Sequence, residues 1–281
     1  MAEHHVRPED FEYISQLLRS RSGQVLEAGK EYLVRSRLAP LVERHHLADL
    51  HQLVQRLRSG GHTRLEIEVL EAMAITETSF FRDVHPFETL RLQVLPRLIA
   101  SRRLERRLAV WCAASSSGQE PYSVAMLLKE YFPELDGWTV DLTATDLSLE
   151  MLERSRAGRY SQIEANRGLS PEMREKWFQR HGKEWQIDER IRRLVNFRQL
   201  NLAQPWPITS RWDVILMRNV MIYFDVELKK QILSRVSRSL QPDGYLLLGG
   251  AETTLNLDDS FQRVEGWPSS FYRRTGFQPV T

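Results

Sequence analysis

Leu108-Ala-Val-Trp-Cys-Ala-Ala-Ser-Ser-Ser-Gly-Gln-Glu-Pro-Tyr-Ser-Val-Ala-Met-Leu-Leu128 is the stretch whose reading decides the fold. An apolar run from Leu108 to Cys112 gives way to small residues, Ala113 to Gly118. Apolar residues then recur at helical spacing: Tyr122, Val124, Ala125, Leu127 and Leu128. That order reads as strand, tight loop and helix, one half of a βαβ unit. Small side chains at the carboxyl end of a parallel strand let a ligand approach the backbone, and the following helix aims free N–H groups at it. The loop, with Ala113 among its lining residues, is therefore a candidate cofactor seat.

What the loop lacks narrows the ligand. It contains neither G-x-G-x-x-G nor G-x-x-x-x-G-K-[ST], so the dinucleotide turn and the phosphate cradle are both missing. Glu120 stands at the helix start, where it would repel a phosphate but accept hydrogen bonds from a cationic ligand. The next apolar run, Trp138 to Asp146, ends in an acid able to accept from two ribose hydroxyls. A ribose and a positive charge without phosphate describe S-adenosylmethionine (SAM).

Trp111-Cys-Ala-Ala-Ser-Ser-Ser-Gly-Gln-Glu-Pro-Tyr-Ser123 resembles the first motif of the chemotaxis receptor glutamate O-methyltransferases, the CheR family. Three further stretches agree in order: Thr76-Glu-Thr-Ser-Phe-Phe-Arg82, Ala144-Thr-Asp-Leu147 with Ala157-Gly-Arg-Tyr160, and Met217-Arg-Asn-Val-Met-Ile-Tyr-Phe-Asp225. The resemblance implies a small all-α domain over residues 1–75, with a connecting motif and linker helix over 76–107. A doubly wound, Rossmann-like methyltransferase domain over 108–281 follows, with an antiparallel β-subdomain inserted at about 182–200. It also implies cofactor contacts from Thr78, Arg82, Asn201, Leu202, Arg218 and Asn219, beside Glu120 and Asp146. Arg82 and Tyr223 are implied at the reacting centre. Thr76 replaces the family's usual asparagine, and Gln119 also departs from the pattern.

Composition agrees with an ordinary globular protein of nearly balanced charge. The chain has 281 residues, 42% of them hydrophobic, and Lys plus Arg (39) nearly balance Asp plus Glu (37). No nucleic-acid partner is called for, because the basic run Arg102 to Arg107 lacks interleaved aromatics and reads as a solvated linker. One cysteine excludes a disulfide framework and a zinc set. The opening Met-Ala-Glu-His-His has no apolar signal core, and no run approaches a membrane span, so a cytoplasmic protein is expected; a monomer is expected as well.

Four short helices are expected before residue 75: Pro8–Ser20, Lys30–His45, Asp49–Leu57 and Thr63–Met73. Lys30, Arg35, Arg37 and Arg44 on the second read either as a solvated basic face or as a dock for acidic substrate helices. Most histidines lie before residue 63 and show no metal spacing, so they read as surface residues. A helix over Pro171–Arg180 should precede short antiparallel strands, and the turn after His181 looks too short to hold a receptor's C-terminal pentapeptide. The activity implied is methyl-ester formation on glutamates of a chemoreceptor or related signalling coiled coil. The rival readings are a carboxyl methyltransferase on another protein and a SAM-binding regulator without catalysis.

Overall fold

The structure, a computed structural model, describes residues 6–207 and 211–276. The opening residues read above for a signal core lie outside that range. The chain divides into two compact units, one of residues 1–75, 201–205 and 223–228, the other of the remainder.

The first unit is built on α1 (Pro8–Ser22), α2 (Glu31–Arg44), α3 (Leu50–Arg58) and α4 (Thr63–Met73). Its core holds Ile14, Leu18, Val34, Leu38, Leu53, Val54 and Val69, none of them measurably exposed. Asp49 caps α3 by accepting the Gln52 N–H at 2.8 Å, as its position before the apolar run predicts. Gly23 ends α1 at φ 74°, and a Cβ there would lie 2.2 Å from Leu228 Cδ2. The returning segments are bonded in: Val25 N–H donates to the Tyr223 carbonyl at 2.8 Å, and Arg19 pairs with Asp225 at 2.8 Å.

Two sequence readings need correction here. Arg37 does not lie free on a basic face. Its Nη1 donates to the carbonyls of Met73 (2.7 Å) and Ala74 (3.2 Å), satisfying groups that the end of α4 leaves unpaired. His45 and His51 are not bare surface groups either: His45 contacts Glu68 at 2.5 Å, and His51 reaches the buried Asp10 at 3.0 Å.

The second unit opens with α5 (His85–Thr89), a π-helical turn (Leu90–Val94) and α6 (Leu95–Ser101). Helix stops at Ser101, where the basic link was expected to begin, but Arg102 is no solvated linker residue. It is drawn in by the buried Asp213, at 2.9 Å, and by Asp243.

Seven strands follow in one sheet: β1 (Arg107–Ala113), β2 (Thr139–Asp146), β6 (Val195–Gln199), β7 (Trp212–Met217), β8 (Leu240–Leu248), β9 (Phe261–Arg263) and β10 (Phe271–Arg274). Their order is β6-β2-β1-β7-β8-β10-β9. The first five in that order run parallel, and β10 is antiparallel to both its neighbours. Strand order reverses beside β1, which makes the carboxyl ends of β1 and β7 the topological switch point. α7 (Gln119–Tyr131) covers one face of the sheet through Val124, Leu127 and Leu128.

A second, antiparallel sheet has the order β3 (Arg159–Ser161), β5 (Glu184–Ile187), β4 (Phe178–His181). Three expectations shift here. The helix starting at Pro171 stops at Trp177, the subdomain begins at residue 159, and 195–199 belongs to the main sheet. β6's alternation permits this: paired with Leu142 and Ala144 of β2, Val195 and Phe197 face the same apolar layer.

Replacing Arg37 with Ala should leave the last carbonyls of α4 without their charged donor and destabilise the protein by about 1–3 kcal/mol. Urea denaturation followed by circular dichroism reads this out. A midpoint unchanged at constant slope would show that Arg37 is a surface charge after all.

Candidate active site

The loop between β1 and α7 is a tight, largely buried turn. Ala114 and Ser116 adopt φ 55° and 50°, and Gly118 φ 92°. Only Gly takes such angles without strain, so the small side chains must be held by their surroundings. Ser155 Oγ donates to the Ser116 carbonyl at 3.0 Å, and Tyr160 Oη to that of Ser117 at 2.8 Å. A Cβ on Gly118 would stand 2.9 Å from Ser155 Oγ, which fixes glycine there. The Gln119 side chain, 2% exposed, accepts from Ser117 Oγ at 2.8 Å, so the neutral amide suits its burial.

Asp146, at the tip of β2, accepts the Ser116 N–H at 2.7 Å on one oxygen and the Ser148 N–H at 2.9 Å on the other. Two backbone donors therefore hold the carboxylate beside the loop. Ser148 in turn caps the next helix through Met151 N–H at 3.2 Å.

The Thr76–Asp83 segment is laced along this loop and the first turns of α7. Ser116 Oγ donates to the Thr76 carbonyl at 2.6 Å, and Phe81 N–H donates to Ser123 Oγ at 2.9 Å. Phe80 is wholly buried in edge-to-face contact with Tyr160 (5.0 Å) and Phe178 (5.4 Å). Gly168 touches it from the far side, since a Cβ there would fall 1.8 Å from the Phe80 carbonyl oxygen. Phe81, Asp83 and Val84 all take positive φ, of 44°, 69° and 52°. Thr78 lies half-buried in this segment. Arg82 Nη1 donates to the Glu77 carbonyl at 3.1 Å.

Arg218 follows β7, and its side chain is 2% exposed. Its guanidinium pairs with Glu120 at 3.0 Å and Asp83 at 2.7 Å, donates to the Arg82 carbonyl at 3.0 Å, and lies 5.7 Å from the Phe87 ring. The residue expected to face the cofactor thus has both Nη atoms engaged inside the protein, tying Glu120 to the Arg82 backbone, while its buried Nε has no hydrogen-bond partner among the described residues. Glu120 is 8% exposed and gives Oε2 to Arg218, which leaves Oε1 for a ligand. Burial pushes its carboxyl above the ordinary glutamate value, against the pull of Arg218. Asn219 comes next, at φ 58°.

The remaining expected residues belong to the first unit: Asn201, Leu202 and Tyr223. The Asn201 amide donates to the Arg21 carbonyl at 2.6 Å and accepts the Ala203 N–H at 2.9 Å. Both ends of this amide, expected to contact the cofactor, are therefore engaged by backbone. Leu202 is buried, and Tyr223 is half-buried.

Residues 76–268 match the CheR methyltransferase SAM binding domain, and residues 9–73 match the CheR methyltransferase all-alpha domain. The chain belongs to the CheR family. It is 41% identical over 271 residues to the chemotaxis protein methyltransferase of Vibrio parahaemolyticus, covering 95% of this chain and 98% of that one. The chemotaxis protein methyltransferase 1 of Pseudomonas aeruginosa is 42% identical, with 94% and 97% covered. The Escherichia coli chemotaxis protein methyltransferase is 33% identical, with 89% and 86% covered. The protein is a SAM-dependent methyltransferase of this family.

The geometry fits that cofactor on its own terms. A close-approach loop of small residues, a fixed acid at the next strand tip and a half-free buried carboxylate suit an adenosine bearing a cation. Ser115 Oγ, 2% exposed and without a hydrogen-bond partner among the described residues, supplies a polar atom that a ligand would satisfy.

A carboxyl whose folded-state pKa is raised contributes stability that is complete below its unfolded value and is lost as pH rises through the raised one. The stability of Glu120→Gln, measured against wild type by denaturation at a series of pH values, should therefore shift in the variant's favour as pH rises across that window. A shift toward wild type would mean that the Arg218 pairing outweighs burial.

Proposed function

We propose that this chain forms methyl esters on glutamate side chains of a chemoreceptor or related signalling coiled coil, acting as a monomer in the cytoplasm. The match of residues 9–73 and 76–268, in order, to the two CheR domains carries this reading. SAM, when bound, supplies a methyl group on a sulfonium centre.

The residues' work is binding and alignment. A substrate glutamate is ionised at neutral pH, so no general base is needed. Asp146, held at the tip of β2 by the Ser116 and Ser148 N–H groups, is placed to meet the ribose hydroxyls. Glu120 Oε1 and Asn219 hold the methionine part. Thr76, Thr78 and Ala113 line the seat. Arg82, kept in place by Arg218 at its carbonyl, orients the incoming carboxylate, and Tyr223 places the methyl group. Holding the carboxylate oxygen in line with the group it attacks is the main contribution such a site can make.

Substrate is found without a tail tether. Strands β4 and β5 are joined by Gly182 and Lys183 alone, with His181 paired to Glu184. A two-residue turn cannot reach round an added strand, which peptide capture at this edge requires. With Arg37 engaged at α4, Lys30 and the exposed Arg35 remain to meet acidic substrate side chains. Such attractions are screened over about 8–10 Å in physiological salt, so docking should weaken as salt rises.

Labelled SAM and receptor cytoplasmic fragments test the activity: wild type should give base-labile methyl esters, and none across a receptor panel would sink the reading. Arg82→Ala and Tyr223→Phe should lower turnover more than affinity for S-adenosylhomocysteine (SAH), because alignment counts chiefly in the transition state. Equal losses would reduce both residues to pocket lining.

Calorimetric titration with a receptor C-terminal pentapeptide should show no binding. A receptor fragment truncated before its tail should be methylated as well as the intact one. Micromolar peptide binding would overturn the untethered mode.

A further inference from the structure

One buried carboxylate near the site belongs to no sequence motif read above. Glu252, 7% exposed, accepts four backbone N–H groups. Oε2 takes those of Asn219 (2.8 Å) and Gly249 (2.7 Å), and Oε1 those of Val220 (2.9 Å) and Met221 (2.7 Å). These donors sit just past the tips of β7 and β8, neighbouring parallel strands paired Met217 to Leu248. The carboxylate thus gathers the bend after β7 and ties it to the next strand.

The bend needs such a clamp. Asn219 sits at φ 58°, a left-handed angle that Asn tolerates better than most residues but that still carries strain. Its N–H and the next two all point the same way and would be orphaned without an acceptor. Gly249 completes the arrangement. A Cβ at that position would lie 2.7 Å from Glu252 Oε2, 2.9 Å from Asn219 Nδ2 and 3.0 Å from Asn219 N. The Asn219 side-chain amide therefore lies against a backbone that only glycine keeps clear, while Glu252 fixes the Asn219 backbone through its N–H.

We infer that Glu252, seated through Gly249, is a positioning residue for cofactor binding: it sets the orientation in which Asn219 meets the methionine part of SAM. The inference rests on the assignment of Asn219 given under the proposed function. A carboxylate is required, because four donors converge on two oxygens. An amide at 252 would keep the size but turn one oxygen into a donor, facing two N–H groups with a third.

The test is calorimetric titration of SAH into the full chain, which reads dissociation constant and stoichiometry separately. Glu252→Gln and Gly249→Ala should each raise the dissociation constant at least tenfold with one site per chain retained. A merely structural role would lower the melting temperature or the fraction of competent sites and leave the dissociation constant of the folded molecules unchanged. That result, or a value within twofold of wild type in both variants, overturns the inference.

Gly249→Ala keeps the carboxylate, so it decides the matter if Glu252→Gln fails to fold. Pairing each variant with Asn219→Ala checks the route: if Glu252 acts through Asn219, the double variant should bind no worse than Asn219→Ala alone. Full additivity overturns the route. An Asn219→Ala affinity equal to wild type removes both the Asn219 assignment and this inference. Loss in Asn219→Ala beside intact binding in the other two removes the inference alone.

Discussion

The guanidinium of Arg218, 2% exposed, lies between the carboxylates of Glu120 and Asp83, and most of the ligand end of the sheet depends on that pairing. Taking such a charge out of water costs several kcal/mol, which only close, well-bonded partners offset. Those partners come from two separate stretches: the first turn of α7, and a segment 135 residues before the arginine in sequence. The ion cluster therefore fixes the distance between the loop after β1 and the strained Phe81–Val84 turn. Three non-glycine residues at positive φ there cost of order 1–3 kcal/mol each. Phe80 packing and the Asp83 pair together hold them.

Asp146 and Glu252 extend the same design with backbone donors in place of a cation. Each stands at or beyond a strand tip and accepts N–H groups from the neighbouring turn, so loop conformations that small side chains alone would leave loose become single-valued. Rigid elements carrying a bonded supporting layer are what a site needs when catalysis is mostly alignment.

The strand, loop and helix from Leu108 to Leu128 were legible because their signals are local: an apolar run, small residues, then helical spacing. The acid at the second strand tip was legible for the same reason. What escaped the sequence depends on partners far along the chain. Nothing within a few residues of Arg37 announces the carbonyls of Met73 and Ala74. Nothing near Arg102 announces Asp213. Val195 and Phe197 alternate as well for an inserted hairpin as for an edge strand of the main sheet, so only the pairing with β2 assigns them. Glu252 lies 33 residues beyond Asn219, and its sole local signal is the glycine pair at 249 and 250.

The first compact unit closes only with residues far from its helices. Gly23 is shaped to leave room for Leu228, and Val25 donates to Tyr223. During synthesis, about 200 residues must emerge between those partners. At roughly 5–20 residues per second that is a delay of about 10–40 s. For that interval Gly23 and Val25 lack those partners. A fragment ending near residue 75 would lack them permanently, so a cut at the apparent domain boundary removes the Leu228 and Tyr223 contacts of Gly23 and Val25.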